Sequence, residues 1–126
     1  MGRILVIDDD DQIRALLRKA LELSGHEVVE ASNGKEGIRV YEEQPADLVI
    51  TDILMPEKEG LECILELRRL DPAVRVIAIS GGIRSNTMDV LEVAGRFGAC
   101  RTFWKPFDLA KVVAAVREEL EGRRAA

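Results

Sequence analysis

Residues 3–9 read RILVIDD, a run whose apolar part ends on two carboxylates, Asp8 and Asp9. A short run rich in β-branched residues predicts a strand, and the lack of alternating polar positions predicts burial on both faces. Such strands belong to parallel sheets that carry helices on both sides. The stretch therefore predicts an α/β protein with its first strand near the centre of a parallel sheet.

Three further strand-like runs end on a polar residue. The runs are residues 48–51, 74–79 and 100–104, and the residues that follow them are Asp52, Ser80 and Lys105. Parallel strands all point the same way, so the residues at their C-terminal ends meet at one edge, where open α/β folds bind ligands. We expect three carboxylates, one hydroxyl and one amine to converge at that edge.

Helical periodicity fills the segments between the strands. A more polar strand is predicted at residues 27–31, a fourth helix at about residues 85–97 and a last helix from Asp108. The polar second strand suits an edge of the sheet, and the apolar first and third strands suit its centre. We predict a doubly wound, flavodoxin-like three-layer α/β sandwich with a five-stranded parallel sheet in the order 2-1-3-4-5.

Length, charge and cysteine usage limit the possible functions. The 126 residues suit one domain, expected at residues 1–122, with a short frayed tail at residues 123–126 and no output domain. A net charge of −5 without a basic stripe argues against direct nucleic-acid binding, and the apolar runs are too short to span a membrane. Cys63 and Cys100 are expected to be free, buried thiols of a cytoplasmic protein.

The predicted edge carries the groups needed to bind a divalent metal and to accept a phosphoryl group. Asp8 and Asp9 are adjacent and point in different directions, so one can ligate the metal directly while the other acts through water. Mg2+ prefers oxygen ligands of this kind. Asp52 is the candidate nucleophile, because a carboxylate forms an acyl phosphate when the developing charge is neutralised. The metal and Lys105 would supply that charge, and Ser80 can donate to a phosphoryl oxygen.

Each of these residues has an ordinary structural explanation when it is taken alone. Aspartates before a helix commonly cap it, and we expect Asp10 and Asp11 to serve the start of the first helix. Asp52 can be a turn residue, and Lys105 can be a solvated surface lysine. Their joint placement at the strand ends is what favours a functional site.

The combination resembles the response-regulator receiver domain of two-component signalling (CheY-like), and the resemblance covers essentially the whole chain. That family has an acidic pair after strand one, a phosphoacceptor Asp after strand three, Ser or Thr after strand four and Lys-Pro after strand five. The residues in those places are Asp8-Asp9, Asp52, Ser80 and Lys105-Pro106-Phe107. The loop Asp52-Ile53-Leu54-Met55-Pro56, followed by Gly60, is also close to the family's usual loop.

The resemblance implies a phosphorylation-dependent switch whose only catalysis is its own phosphorylation and dephosphorylation. The implied Mg2+ ligands are Asp9, Asp52 and the backbone carbonyl of Leu54, and we count Asp8 with them as the other member of the acidic pair. It also implies that Asp52 accepts a phosphoryl group from a sensor histidine kinase or a histidine phosphotransfer protein, while Ser80 and Lys105 contact the phosphate. The surface of the fourth helix, fifth strand and last helix would then change its binding of a downstream protein or a missing output domain.

The sequence departs from the family at the aromatic switch residue often found three positions before the lysine. Thr102 occupies that position, so a rotating tyrosine-type switch is not available. Trp104 shares the strand parity of Thr102 and is expected on the same face.

Two alternative functions remain open. The first is a phosphatase of the haloacid-dehalogenase type, in which Asp8 and Asp10 would be the nucleophile and the acid/base residue. That family needs a further acidic cluster after the lysine, where only Asp108 is nearby, and the chain is short for it. The second is a non-phosphorylated adaptor with a receiver fold, against which the intact Asp52 and Lys105 argue.

Overall fold

The computed structural model describes residues 2–53, 59–81, 94–96 and 98–125. Its strands are β1 (Arg3–Ile7), β2 (Glu27–Ala31), β3 (Leu48–Asp52), β4 (Arg75–Ser80) and β5 (Arg101–Trp104). They form one parallel sheet in the order β2-β1-β3-β4-β5, which confirms the predicted order. The helices are α1 (Asp11–Leu23), α2 (Gly34–Glu43), α3 (Glu59–Leu70) and the C-terminal helix (Leu109–Ala125).

The sheet is buried on both faces because its side chains alternate between two apolar layers. In β1, Ile4 and Val6 pack with α1 and the C-terminal helix, whereas Leu5 and Ile7 pack with α2 and α3. All four side chains are fully buried. This arrangement confirms the predicted three-layer sandwich.

Side-chain caps determine where two helices begin. Asp10 caps α1 by accepting hydrogen bonds from the backbone N–H groups of Gln12 and Ile13, at 2.8 and 3.3 Å. Asn33 caps α2 by accepting the N–H of Glu36 at 2.8 Å. Each cap satisfies a first-turn N–H that lacks a partner within the helix. The cap on α1 takes up the third aspartate of the acidic run and leaves the first two for the edge of the sheet.

Two strands extend one residue further than their apolar runs suggest. β3 ends at Asp52 and β4 ends at Ser80. In the sheet register Asp52 pairs with Ile79, and Ser80 pairs with Trp104. These polar residues therefore occupy strand positions, because the neighbouring strand still offers hydrogen-bond partners there.

The C-terminal helix continues to Ala125 and so includes residues of the segment expected to be a frayed tail. Arginine and alanine are good helix formers, and one glycine at Gly122 costs only about 1 kcal/mol. Cys63 is buried as expected, but Cys100 is exposed because it lies just before the edge strand β5.

Several predicted features lie outside the described residues. They are Leu54, the Met55-Pro56 loop and most of the fourth predicted helix, of which residues 94–96 are described and are helical. Within the described part of the chain, no helix has the length and apolar character needed to cross a membrane.

Candidate functional site

β1 places the acidic pair at the C-terminal edge of the sheet, between β2 and β3. The N–H of Asp8 donates to the carbonyl of Ala31 at 3.1 Å, so the pairing with β2 continues one residue past β1. Asp8 is 2% exposed, whereas Asp9 is exposed to solvent. The two carboxylates therefore have different environments, as expected for adjacent side chains that point in different directions.

Asp52 completes a cluster of three carboxylates. It is the last residue of β3 and is buried. One carboxylate oxygen from each of Asp8, Asp9 and Asp52 lies within 4.8 Å of the other two. Crowded carboxylates repel one another, and a divalent cation relieves that repulsion. Because hard oxygen ligands suit Mg2+, the donor set fits the metal that the sequence predicted.

Lys105, which follows β5, reaches across the edge of the sheet into this cluster. Its Nζ donates to Oδ2 of Asp8 at 2.9 Å and to Oδ2 of Asp52 at 3.0 Å. Burial by itself lowers the pKa of Lys105, but the hydrogen bonds and charges of the two carboxylates outweigh burial and raise the pKa. The amine is therefore a stable positive charge that bridges two of the three carboxylates.

The pKa of Asp8 is raised, because the effect of burial exceeds that of the neighbours that favour its charged form. Burial raises the pKa of Asp8, and the nearby Asp52 carboxylate adds to that rise. The N–H of Asp10, which donates to Oδ1 of Asp8 at 2.9 Å, and the ammonium of Lys105 act in the opposite direction. A cation bound among the carboxylates would favour the ionised form further.

Ser80 and Gly81 shape the path of the lysine side chain. Ser80 is fully buried, and its carbonyl accepts the N–H of Lys105 at 2.8 Å. A Cβ atom on Gly81 would come within 2.9 Å of Lys105 Cδ. Glycine at this position leaves the room that Lys105 needs to extend toward the carboxylates.

The two residues considered for signal output share a face of β5 but differ in environment. Thr102 is exposed, whereas Trp104 is half-buried against the apolar layer of α2 and α3. Trp104 pairs with Ser80 in the sheet and directly precedes Lys105 in the chain. The only tryptophan therefore lies beside the site rather than on an open surface.

Arg14 is a residue at the site that sequence reasoning missed. Its Nη1 donates to the main-chain carbonyl of Asp8 at 2.5 Å, and its Nε donates to Oε1 of Glu30 at 3.1 Å. Arg14 follows Asp11 by three positions and pairs with it, a spacing that would have placed the arginine beside the acidic run. The contact with Glu30 joins α1 to β2, and no local pattern predicts it.

The family model of the response regulator receiver domain matches residues 4–117. The chain belongs to this family. Receiver domains are phosphorylation-dependent signalling domains of two-component systems, they work with histidine kinases or phosphotransfer proteins, and they are not enzymes in the usual sense. They generally bind Mg2+ in an acidic pocket, for which the carboxylate cluster is suited. Membership of the receiver family favours a signalling function over that of a haloacid-dehalogenase-type phosphatase.

Similar proteins include both short receivers and longer regulators. Chemotaxis protein CheY of Bacillus subtilis is 35% identical over 120 residues, which make up 94% of this chain and 97% of that protein. The DNA-binding transcriptional regulator NtrC of Azospirillum brasilense is 38% identical over 117 residues, which make up 93% of this chain but 24% of that protein. The chain spans about a quarter to a half of the length of the transcriptional regulators that it matches.

The fold of this receiver domain is shared by a solved structure over its full length. The crystal structure of a response regulator receiver domain protein from Clostridium thermocellum is 30% identical and has a TM-score of 0.88. The match covers 99% of this chain and 98% of that chain.

Proposed function

We propose that this receiver domain accepts a phosphoryl group on Asp52, in a Mg2+-dependent reaction, from a sensor histidine kinase or a histidine phosphotransfer protein. The arrangement around Asp52 carries the proposal. Its carboxylate lies within 4.8 Å of those of Asp8 and Asp9, and it accepts a hydrogen bond from Lys105. A nucleophile, a place for a divalent cation and a fixed positive charge thus meet at one point.

The transfer exchanges one bond to phosphorus for another. A carboxylate oxygen of Asp52 attacks the phosphorus, the phosphorus–nitrogen bond to the donor histidine breaks, and the departing imidazole takes up a proton from solvent. Negative charge is spread over the phosphoryl oxygens during this step. Lys105 can neutralise part of it by moving one hydrogen bond from Asp52 to a phosphoryl oxygen, and Ser80 would donate its hydroxyl to another.

The residues that we propose hold Mg2+ are Asp8, Asp9, Asp52 and the backbone carbonyl of Leu54. When bound, the ion supplies positive charge that neutralises and orients the phosphoryl oxygens. Burial of Asp8 and Asp52 limits the access of water to their oxygens, whereas the exposed Asp9 leaves one side of the cluster open. Leu54 lies outside the described residues, and we propose it as a ligand only because the sequence resembles the receiver family at this position.

We further propose that phosphorylation changes the affinity of one surface for a downstream partner. That surface combines the fourth predicted helix, β5 and the C-terminal helix. β5 is an edge strand and leads directly into Lys105, so a shift of Lys105 toward a phosphoryl group would act on β5. The partner is a downstream protein or an output domain outside residues 1–122. The net charge of −5 favours a protein partner over nucleic acid or an anionic membrane surface, and we propose that the partner is met in the cytoplasm.

Intact mass spectrometry after incubation with acetyl phosphate and Mg2+ tests the proposal. The wild type should gain one phosphate, and neither Asp52→Asn nor the wild type without Mg2+ should gain any. Asp108→Asn is the matched control. Asp108 caps the C-terminal helix by accepting the N–H of Ala110 at 3.0 Å, a role that asparagine also fills, so this variant should be phosphorylated normally. Phosphate that persists in Asp52→Asn and disappears in Asp8→Asn would favour the haloacid-dehalogenase-type reaction instead.

A further inference from the structure

Arg14 lies in the first turn of α1 and reaches back over the loop that carries the acidic pair. Its Nη1 donates to the carbonyl of Asp8 at 2.5 Å, and its Nε donates to Oε1 of Glu30 at 3.1 Å. Its Nη2 pairs with Asp11. The side chain is only 14% exposed, so the guanidinium is largely enclosed between these three acceptors.

These contacts restrain the peptide that joins Asp8 to Asp9. The N–H of Asp8 is bonded to Ala31 at 3.1 Å, and the Asp8 carbonyl is bonded to Arg14. The Asp8 carbonyl belongs to the same planar peptide as the Asp9 N–H, so holding it sets the direction in which the chain continues. Asp9 is exposed and lies beyond the end of β1. The direction of its carboxylate therefore depends on the orientation of this peptide.

Arg18 offers a comparison within the same network of charges. Its Nη1 donates to Oε2 of Glu30 at 2.7 Å, and its Nε donates to Oε2 of Glu22 at 3.1 Å. Glu30 therefore divides its two oxygens between two arginines. Among the hydrogen bonds of the described residues, only that of Arg14 connects this network to the main chain of Asp8.

We propose that Arg14 is a positioning residue for the divalent metal site: it holds the Asp8–Asp9 peptide so that the Asp9 carboxylate stays beside those of Asp8 and Asp52. The inference rests on the proposed function, because it concerns Mg2+ at that cluster. The planar guanidinium holds three acceptors in a fixed geometry, which the single ammonium of a lysine does not reproduce.

Positioning and simple electrostatics predict opposite effects of removing Arg14. A cation beside the cluster repels a divalent ion, so its removal should tighten Mg2+ binding if charge alone matters. A residue that orients the ligands weakens binding when it is removed, because the carboxylates are then no longer held in place. The sign of the change in Mg2+ affinity therefore separates the two roles.

Calorimetric titration of the whole chain with MgCl2 measures this sign directly. Arg14→Gln should raise the dissociation constant for Mg2+ about tenfold, the lower end of the range for residues that orient metal ligands. Arg18→Gln removes the same charge from the same network and should change it by less than about twofold, as expected for an exposed ion pair. An unchanged or lower dissociation constant in Arg14→Gln, or an equal rise in both variants, would overturn the positioning role.

Arg14→Lys keeps the charge and loses the planar fork, so it should also weaken Mg2+ binding. This variant carries the test if Arg14→Gln does not fold, which circular dichroism would show. Phosphorylation by acetyl phosphate should need about tenfold more Mg2+ for its half-maximal rate in the Arg14 variants and reach the wild-type rate at saturation. A wild type that binds no Mg2+ contradicts the proposed function itself. Wild-type binding that both Arg14 variants match contradicts only the role of Arg14.

Discussion

Lys105 determines the charge balance of the acidic cluster. It is the cation that Asp8 and Asp52 share, and the side chains of the two carboxylates are only 3% and 5% exposed. Lys105→Gln should destabilise the fold by roughly 1.5–3 kcal/mol, the range for hydrogen bonds to charged groups, because two buried carboxylates lose their counter-charge. The free energy of unfolding in urea without Mg2+ measures this loss.

The same variant has a built-in control. Because a bound cation would replace the missing charge, Mg2+ should stabilise Lys105→Gln more than it stabilises the wild type. An equal effect of Mg2+ on both proteins would show that the lysine and the metal do not act on the same carboxylates.

His26 makes stability depend on pH at the opposite end of the sheet. Its Nδ1 accepts the N–H of Gly2 at 3.2 Å, which requires an unprotonated nitrogen. Burial lowers the pKa of His26 from its usual 6.5. The stability contributed by the neutral ring is therefore complete above about pH 6.5 and is lost as the pH falls through the lowered pKa.

Replacing His26 should remove this part of the pH dependence. Asparagine offers an uncharged acceptor, so the free energy of unfolding should fall less in His26→Asn than in the wild type between about pH 7.5 and about pH 5.5. The raised pKa of Asp8 has the opposite effect, because its contribution to stability is lost as the pH rises through that pKa. Both proteins contain Asp8, so its contribution cancels when their pH profiles are compared. Parallel pH profiles for the two proteins would contradict the prediction.

At the scale of elements, the contact between α2 and β1 depends on a glycine. A Cβ atom on Gly37 would come within 2.4 Å of Ile7 Cδ1 and 2.9 Å of Ile7 Cγ1. Alanine would gain about 1 kcal/mol of helix propensity, but overpacking a buried contact costs about 1–3 kcal/mol. Because Ile7 is fully buried and cannot move aside freely, we expect Gly37→Ala to lower the free energy of unfolding in urea.

Two matched variants check that explanation. Ile7→Val removes Cδ1, the closer of the two clashing carbons, so the double variant should be more stable than the sum of the two single changes predicts. Gly122→Ala in the C-terminal helix meets no atom within 4 Å and should be neutral or stabilising. Additive single changes would show that the clash is relieved by some other movement.

At the scale of the whole molecule, the signal that we propose would pass from the carboxylate cluster to the proposed output surface across β5. Trp104 ends that strand, pairs with Ser80 and precedes Lys105. Beryllofluoride, which stands in for the phosphoryl group, should therefore change Trp104 fluorescence only when Mg2+ is present, and should not do so in Asp52→Asn. Trp104→Ala should weaken partner binding and leave phosphorylation of Asp52 intact, since tryptophan is a common interface anchor.

Constant fluorescence in a protein that mass spectrometry shows to be fully phosphorylated would assign Trp104 to core packing alone. Its contact with the apolar layer of α2 and α3 already gives it such a role. The signal would then have to leave through the segment that follows Ser80 and through the fourth predicted helix.

Local sequence patterns were sufficient to predict the order of the elements and the position of the acidic edge. Uninterrupted apolar runs predicted strands buried on both faces, and helical periodicity between them left the doubly wound sheet as the simplest arrangement. The ends of those runs marked Asp8, Asp52, Ser80 and Lys105, because strand direction alone brings their C-terminal ends together. The cap at Asp10 was equally local, since it acts within a single helical turn.

Contacts between distant segments were decided only by the tertiary structure. Lys105 meets Asp8 across 97 positions of sequence, and Arg14 meets Glu30 across the space between α1 and β2. The clash that excludes a side chain at Gly37 and the exposure of Cys100 likewise depend on how neighbouring elements pack. Periodicity specifies which face of an element is buried, but the direction and reach of one polar side chain depend on atoms that only the folded chain brings near it.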